Sequence, residues 1–205
     1  EGVEQIPGLP EREKSAANLA HPVALNSVTS NAAPNFGAGF APFFLPMAMF
    51  IGAMIIWMLI KPLQTRPVLG GLGALRTVLA SYWPGALIAV AQVVVMYLVA
   101  QFGLGLDAAH PLGLFGFMLL ISAAFLALIQ MLNAVLGVAV GRVITLAVLM
   151  VQIVASGGIY PVQTTATAAQ ILHPVDPLGY AVNGMRQLIS GGVDDPRAWA
   201  TVGFL

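Results

Sequence analysis

The side chains able to do chemistry in this chain are few and scattered. Its three histidines, His21, His110 and His173, fall in separate segments. No His/Asp/Glu spacing reads as a metal site, which needs several converging ligands. Cysteine is absent, so disulfides, thiolate metal sites and cysteine nucleophiles are excluded. No G-x-x-x-x-G-K-[ST] phosphate loop occurs, and no Ser/His/Asp triad can be assembled. Ser156 stands beside Gly157-Gly158 at the edge of an apolar run, without the G-x-S-x-G turn of a nucleophile elbow. A lipid-acting enzyme would have to draw on Asp107, His110, His173 and Asp176, yet titratable groups at a catalytic site should cluster. The expectation is a non-enzyme with no catalytic residue, no metal and no cofactor.

The remaining polar candidates lie inside apolar runs. Gln92, Gln130, Asn133 and Gln152 do so, with Gln101 at the outer end of the run that holds Gln92. Gln130 and Asn133 share one helix face by their spacing. Such residues either fix packing through interhelical hydrogen bonds, about 0.6 kcal/mol each, or form a polar strip along a path or gate. No Asp, Glu, Lys or Arg sits mid-run, which weighs against a proton relay or an ion-coupled carrier. Asp176 and Arg186 are charges within one polar, proline-broken segment. They could hold it by an ion pair or by helix-end contacts, or simply be charges in water that contribute little. Gly137-x-x-x-Gly141 matches the small-residue packing motif of membrane helices, a weak signal in a chain with 22 glycines.

The elements that carry these residues follow from composition. Of 205 residues, 59% are hydrophobic and 8% charged, and mean hydropathy is +0.89. A soluble domain carries roughly 25% charged residues, so a soluble enzyme is excluded and a polytopic membrane protein is indicated. Net charge is zero, against a nucleic-acid binder. Spans of about 20 apolar residues are predicted near 41–60, 83–102, 112–136 and 143–160, with a further one from 198 onward. Gly137 to Arg142 reads as the turn between the third and fourth. Pro42 suits the first turn of a helix. Val68 to Ala80 reads as an interfacial helix or as the N-terminal extension of the next span. Residues 1–40 lack the basic and apolar regions of a signal peptide and read as an extracellular linker at the end of a larger outer region.

Basic residues mark the cytoplasmic side. Lys61, Arg66 and Arg76 lie in the loop 61–81, and Arg142 lies in the turn 137–142; neither holds an acid. The N-terminal segment and residues 158–197 then face outward. Within 161–195, Gln163–His173 and Leu178–Ile189 have helical composition. Pro174 and Pro177 separate them and Gly191-Gly192 ends the second. The expected fold is all-α: four complete transmembrane helices, the start of a fifth, and an outward-facing re-entrant helical hairpin.

Several blocks carry a family resemblance. Asn35-Phe36-Gly37 through Ala41-Pro42-Phe43-Phe44 precedes a span. Ser156-Gly157-Gly158-Ile159-Tyr160-Pro161 ends one. Pro174, Pro177-Leu178-Gly179-Tyr180 and Asn183-Gly184-Met185-Arg186 follow in order. Together they cover most of residues 20–200, and the chain resembles the C-terminal membrane domain of the YhgE/Pip (phage infection protein) family. That family is similar to the permeases of type 2 ATP-binding-cassette exporters. The resemblance implies six spans, of which residues 41–205 would hold the second to the start of the sixth, after a first span and a large extracellular region. It makes 61–81 the loop that docks an ATPase, and it places the hairpin residues Ser156, Gly157, Gly158, Tyr160, Pro161, Asp176, Tyr180 and Arg186 between the fifth and sixth spans.

Two functions are then expected. One is a permease-like module of a bacterial plasma membrane, a homodimer that moves or positions a lipid or secreted polypeptide, energised by another subunit. The other is an anchor and dimerisation domain for an extracellular receptor or scaffold, such as a phage receptor or secretion component. Expected partners are the bilayer, a second copy, envelope or secretion proteins and a separate ATPase. A wet path through Gln92, Gln130, Asn133 and Gln152 would favour the first function.

Overall fold

The computed structural model describes residues 36–64, 70–71, 73–158 and 167–191, all of them within the unit Asn31–Leu205. Helix α1 is Phe36–Leu59, and α2 is Ala74–Leu98, prolonged by a π turn at Val99–Gly103. Helix α3 is Pro111–Leu136 and α4 is Val138–Ala155. A short α5, Thr167–Leu172, leads through a 3-10 turn at His173–Val175 into α6, Pro177–Ser190. No strand occurs among the described residues. Helices α1 to α4 are long and apolar enough to cross a membrane. Helix α6, with 14 residues, is about 21 Å long at 1.5 Å per residue, too short to do so.

Every backbone donor and acceptor in lipid must be satisfied internally, so the apolar runs become helices, and side chains decide which faces meet. Helix α3 is the hub, packed against α1, α2, α4 and α6. Its buried residues Leu114, Phe117, Met118, Ile121, Phe125 and Ile129 follow helical spacing. On α1 the large residues Phe43, Phe50 and Trp57 recur every seventh position and are all buried. Phe50 meets Phe125 edge-on, with ring centroids 5.1 Å apart, and Trp57 Nε1 donates to Leu126 O at 2.8 Å. Helix α2 packs through small residues instead. Thr77, Ser81, Gly85 and Ala89 are buried at four-residue intervals, and Gly85 makes room for the Trp57 ring. Helix α4 repeats the device with Gly141 and Thr145.

The structure departs from the sequence reading at several places. The turn expected over Gly137–Arg142 is a single residue: Gly137, at φ +79°, joins α3 to α4. That region of backbone space favours glycine. Arg142 therefore lies inside α4. Pro42 sits inside α1 with Pro46, past the first turn, because the helix begins at Phe36. Residues from Ala74 onward extend the second span without a break at Pro84, as the extension reading has it. Residues 65–69 and 72, the first hairpin residues 159–166 and everything after 191 lie outside the described residues. So do residues 1–35.

Candidate functional site

Chemistry-bearing side chains gather at the two ends of the helix bundle. At the first, α5 and α6, the segment read in sequence as the hairpin, pack on α4 near its C-terminus. Asp176 is the N-cap of α6, and its carboxylate oxygens accept from the Leu178 and Gly179 amides at 3.1 Å each. Pro177 follows at the first helical position, where its missing N–H costs nothing. Gly191, at φ +82°, terminates the helix. One face of α6 is buried through Leu178, Ala181, Val182, Met185 and Ile189. Gly184 leaves the space that the Phe117 ring fills. The segment before α3 is tied on by Ala109 N to Ile189 O (3.2 Å) and His110 N to Leu188 O (3.1 Å).

Helix α4 ends with carbonyls that lack intrahelical donors, and the hairpin supplies donors. Arg186 donates to Gly157 O at 3.1 Å and to Gly158 O at 3.0 Å. His173 meets Ala155 O from Nδ1 at 2.7 Å; because a carbonyl only accepts, that nitrogen carries the proton. A positive side chain here also complements the helix dipole. Ser156 Oγ donates to Ile153 O and accepts from Gly158 N, both at 3.3 Å. The Tyr180 hydroxyl donates to Pro174 O at 2.7 Å. Burial pushes the Asp176 carboxyl up to about 6, against the opposing pull of the Leu178 and Gly179 amides and of His173.

Of the two alternatives for Asp176 and Arg186, an ion pair is not formed: they stand ten residues, about 15 Å, apart along α6, and each makes a helix-end contact.

Between α4 and the hairpin runs a groove of about 330 Å³ lined by Ile144, Val148, Val151, Leu172, Val175 and Pro177, with Gln152 and Asp176 as its polar members. Gln152 is 3% exposed, and both of its amide atoms lack a partner.

At the opposite end, Gln130 donates from Nε2 to Pro62 O (2.9 Å) and to Val78 O (3.2 Å), so α3 holds the segment after α1 and the start of α2. Gln64 N donates to Ser81 Oγ at 2.9 Å. Asn133 donates to Ile129 O at 2.8 Å, while its Oδ1 is buried without a partner. Arg142 reaches Met58 O at 3.4 Å. Lys61, Asn133 and Arg142 line a cavity of about 560 Å³ there. Arg76 is exposed in the first turn of α2.

The four amides do not make one polar strip. Gln92 bonds Ala48 O at 3.2 Å between α2 and α1, with Gly52 leaving room for its amide. Gln130 and Asn133 share the Lys61 end, and Gln152 stands alone below the hairpin. Of the residues singled out in sequence, Arg66, Tyr160 and Pro161 lie outside the described residues. Sequence reasoning weighed His173 only for metal or catalytic chemistry and passed over Tyr82, whose hydroxyl donates to Ala123 O at 2.9 Å. A His one residue before the hairpin proline, and aromatics with a polar tip inside a span, were the available signals.

Comparison with known proteins agrees with this architecture. The family model described as ABC-2 family transporter protein matches residues 3–205. The protein named "Uncharacterized protein YhgE" of Bacillus subtilis (strain 168) is 29% identical over 189 residues, covering 91% of this chain and 24% of that protein. The chain thus spans about a quarter of that relative's length. No solved structure matches. Four apolar helices and a family match over nearly the whole chain lead to one conclusion: this is a multi-pass membrane domain that belongs to the ABC-2 transporter family.

Proposed function

We propose that this domain is the membrane half of an exporter, working as a homodimer, that moves or positions an amphipathic envelope substrate under the drive of a separate ATPase. The groove beneath the hairpin carries the reading. Its walls are apolar, while Gln152 offers an unpaired donor and acceptor. An ion or sugar path would need a polar lining. An acyl chain, or an apolar stretch of secreted polypeptide, suits apolar walls with one convergent polar group.

Helices α2 and α4 are the least buried of the four and offer apolar faces for a second copy. ABC-2 permeases function with separate ATPase subunits, and these 205 residues contain no phosphate-binding loop. The loop after α1, with Lys61 and Arg66, and the start of α2, with Arg76, form the docking surface in this proposal. Its basic character puts it in the cytoplasm of a bacterial plasma membrane, with the hairpin and the N-terminal segment outside.

A photo-crosslinking residue at Ala147, in the groove, tests the proposal in native membranes of cells making the full-length protein. A second at Leu120, exposed on α3, reports bulk lipid. The expected result is a distinct amphipathic adduct at Ala147, lost when the proposed ATPase-docking surface carries Lys61→Glu and Arg76→Glu. The same bulk lipids at both positions would overturn it.

A further inference from the structure

We infer that the cavity at the Lys61 end binds the headgroup of an anionic phospholipid, a function separate from the groove. Lys61 and Arg142 line it, and no carboxylate does among the described residues. Arg142 is held by one bond, to Met58 O, and its buried Nε has no partner. Guanidinium nitrogens in that arrangement match the oxygens of a phosphate diester.

The N-terminus of α4 opens into the same space. Gly137 caps it with no side-chain bond, so its first amides are free to face an anion. Asn133 lines the cavity too, 3% exposed and with an unpartnered Oδ1. That oxygen is buried against Gly141 and closed to a ligand, so Lys61 and Arg142 are the side chains that meet an anion here.

Position favours a lipid over a protein side chain. Arg142 lies four residues into α4, about 6 Å along the axis from its start, where a long basic side chain near a span's end can reach a headgroup. Exposed apolar residues line the cavity too: Leu59 is 79% and Val138 42% exposed. They give the acyl chains of a bound lipid a surface, which a soluble acidic loop would not use.

The test is native mass spectrometry of the full-length protein, delipidated in detergent and titrated with phosphatidylglycerol or phosphatidylcholine of the same chains. Phosphatidylglycerol should bind more tightly. Arg142→Gln and Lys61→Gln should each weaken it about fivefold, the contribution of one basic residue near an anionic surface. Arg142→Lys should keep the preference for the anionic lipid, and Arg76→Gln, on the exposed start of α2, should change nothing. Equal affinity for the two lipids overturns the inference. So does an Arg142→Gln variant that melts like the parent and binds phosphatidylglycerol undiminished. Competition by glycerol phosphate at the lipid's own concentration would show a site for a free anion. Displacement of the lipid by a stoichiometric acidic partner would show a protein-docking site. Either result also overturns it.

Discussion

Replacing Gly141 by alanine tests the packing of α3 on α4 most directly. A Cβ built at Gly141 lies 2.6 Å from Asn133 Cα and 3.0 Å from Asn133 N, where 3.4–4 Å is ordinary contact. The obstacle is backbone, so no rotamer change relieves it. The helices cannot easily part, because Gly137 alone joins them. Overpacking of this kind costs about 1–3 kcal/mol, while alanine in place of glycine returns up to about 1 kcal/mol of helix propensity. The net expectation is a loss of about 1–2 kcal/mol. Gly116→Ala is the control: it lies in α3, and nothing stands within 4 Å of the added carbon, so propensity alone should leave it neutral or slightly more stable. Thermal unfolding of the full-length protein in one detergent reads both. A Gly141→Ala variant as stable as Gly116→Ala would refute the close crossing.

Three further outcomes are expected. Asp176→Ala should cost about 1 kcal/mol through the lost cap, and Arg186→Ala about 1 kcal/mol for charge-assisted bonds discounted for exposure. The double variant should be additive within about 0.5 kcal/mol because the sites do not touch; strong coupling in the melting of all three would restore a direct pair. Asp176→Asn keeps a capping side chain and removes the titration. The native Asp176 carboxyl, raised to about 6, binds its proton more tightly folded than unfolded. Its contribution is therefore fully present below the unfolded value and is lost as pH rises through about 6. The parent should gain stability relative to Asp176→Asn between pH 7.5 and 5; a relative loss in paired melts would contradict the burial argument. Gln152→Leu should leave the fold as stable or more so, since it removes two unpaired buried polar atoms, while abolishing the groove adduct at Ala147. A marked drop in melting temperature would show that Gln152 has structural partners.

The spans were legible because hydropathy is a sum over a window and tolerates local error. The helix faces were not, because this bundle is closed by size as much as by hydrophobicity. In lipid, apolar side chains gain little by facing one another, and close approach of small residues takes over. Thr77, Ser81, Gly85 and Ala89 spell that stripe at four-residue intervals, yet an apolar-periodicity reading of 68–80 looks to Leu75 and Leu79, which are exposed. Gly137-x-x-x-Gly141 held two different glycines. Gly141 lies against α3 as the motif implies, whereas Gly137 makes the turn. A turn of one residue has no composition of its own, so the nearby charge of Arg142 drew the boundary too late. Asp176 and Arg186 invited pairing as neighbouring charges in sequence. Once a helix starts at Pro177, its rise sets them about 15 Å apart.

The two ends of α4 are built on opposite principles. At its C-terminus the carbonyls are met by His173 and Arg186, side chains delivered by a separate hairpin. At its N-terminus no side chain caps the helix, and the nearby polar atoms of Asn133 and Arg142 stay unpartnered. A helix satisfied at one end and open at the other accepts a ligand only at the open end without losing a contact. Its linkage to α3 through Gly137, with Gly141 seated on Asn133, makes α3 and α4 a stiff pair. Withdrawal of the hairpin would strip donors from Ala155 and Gly157.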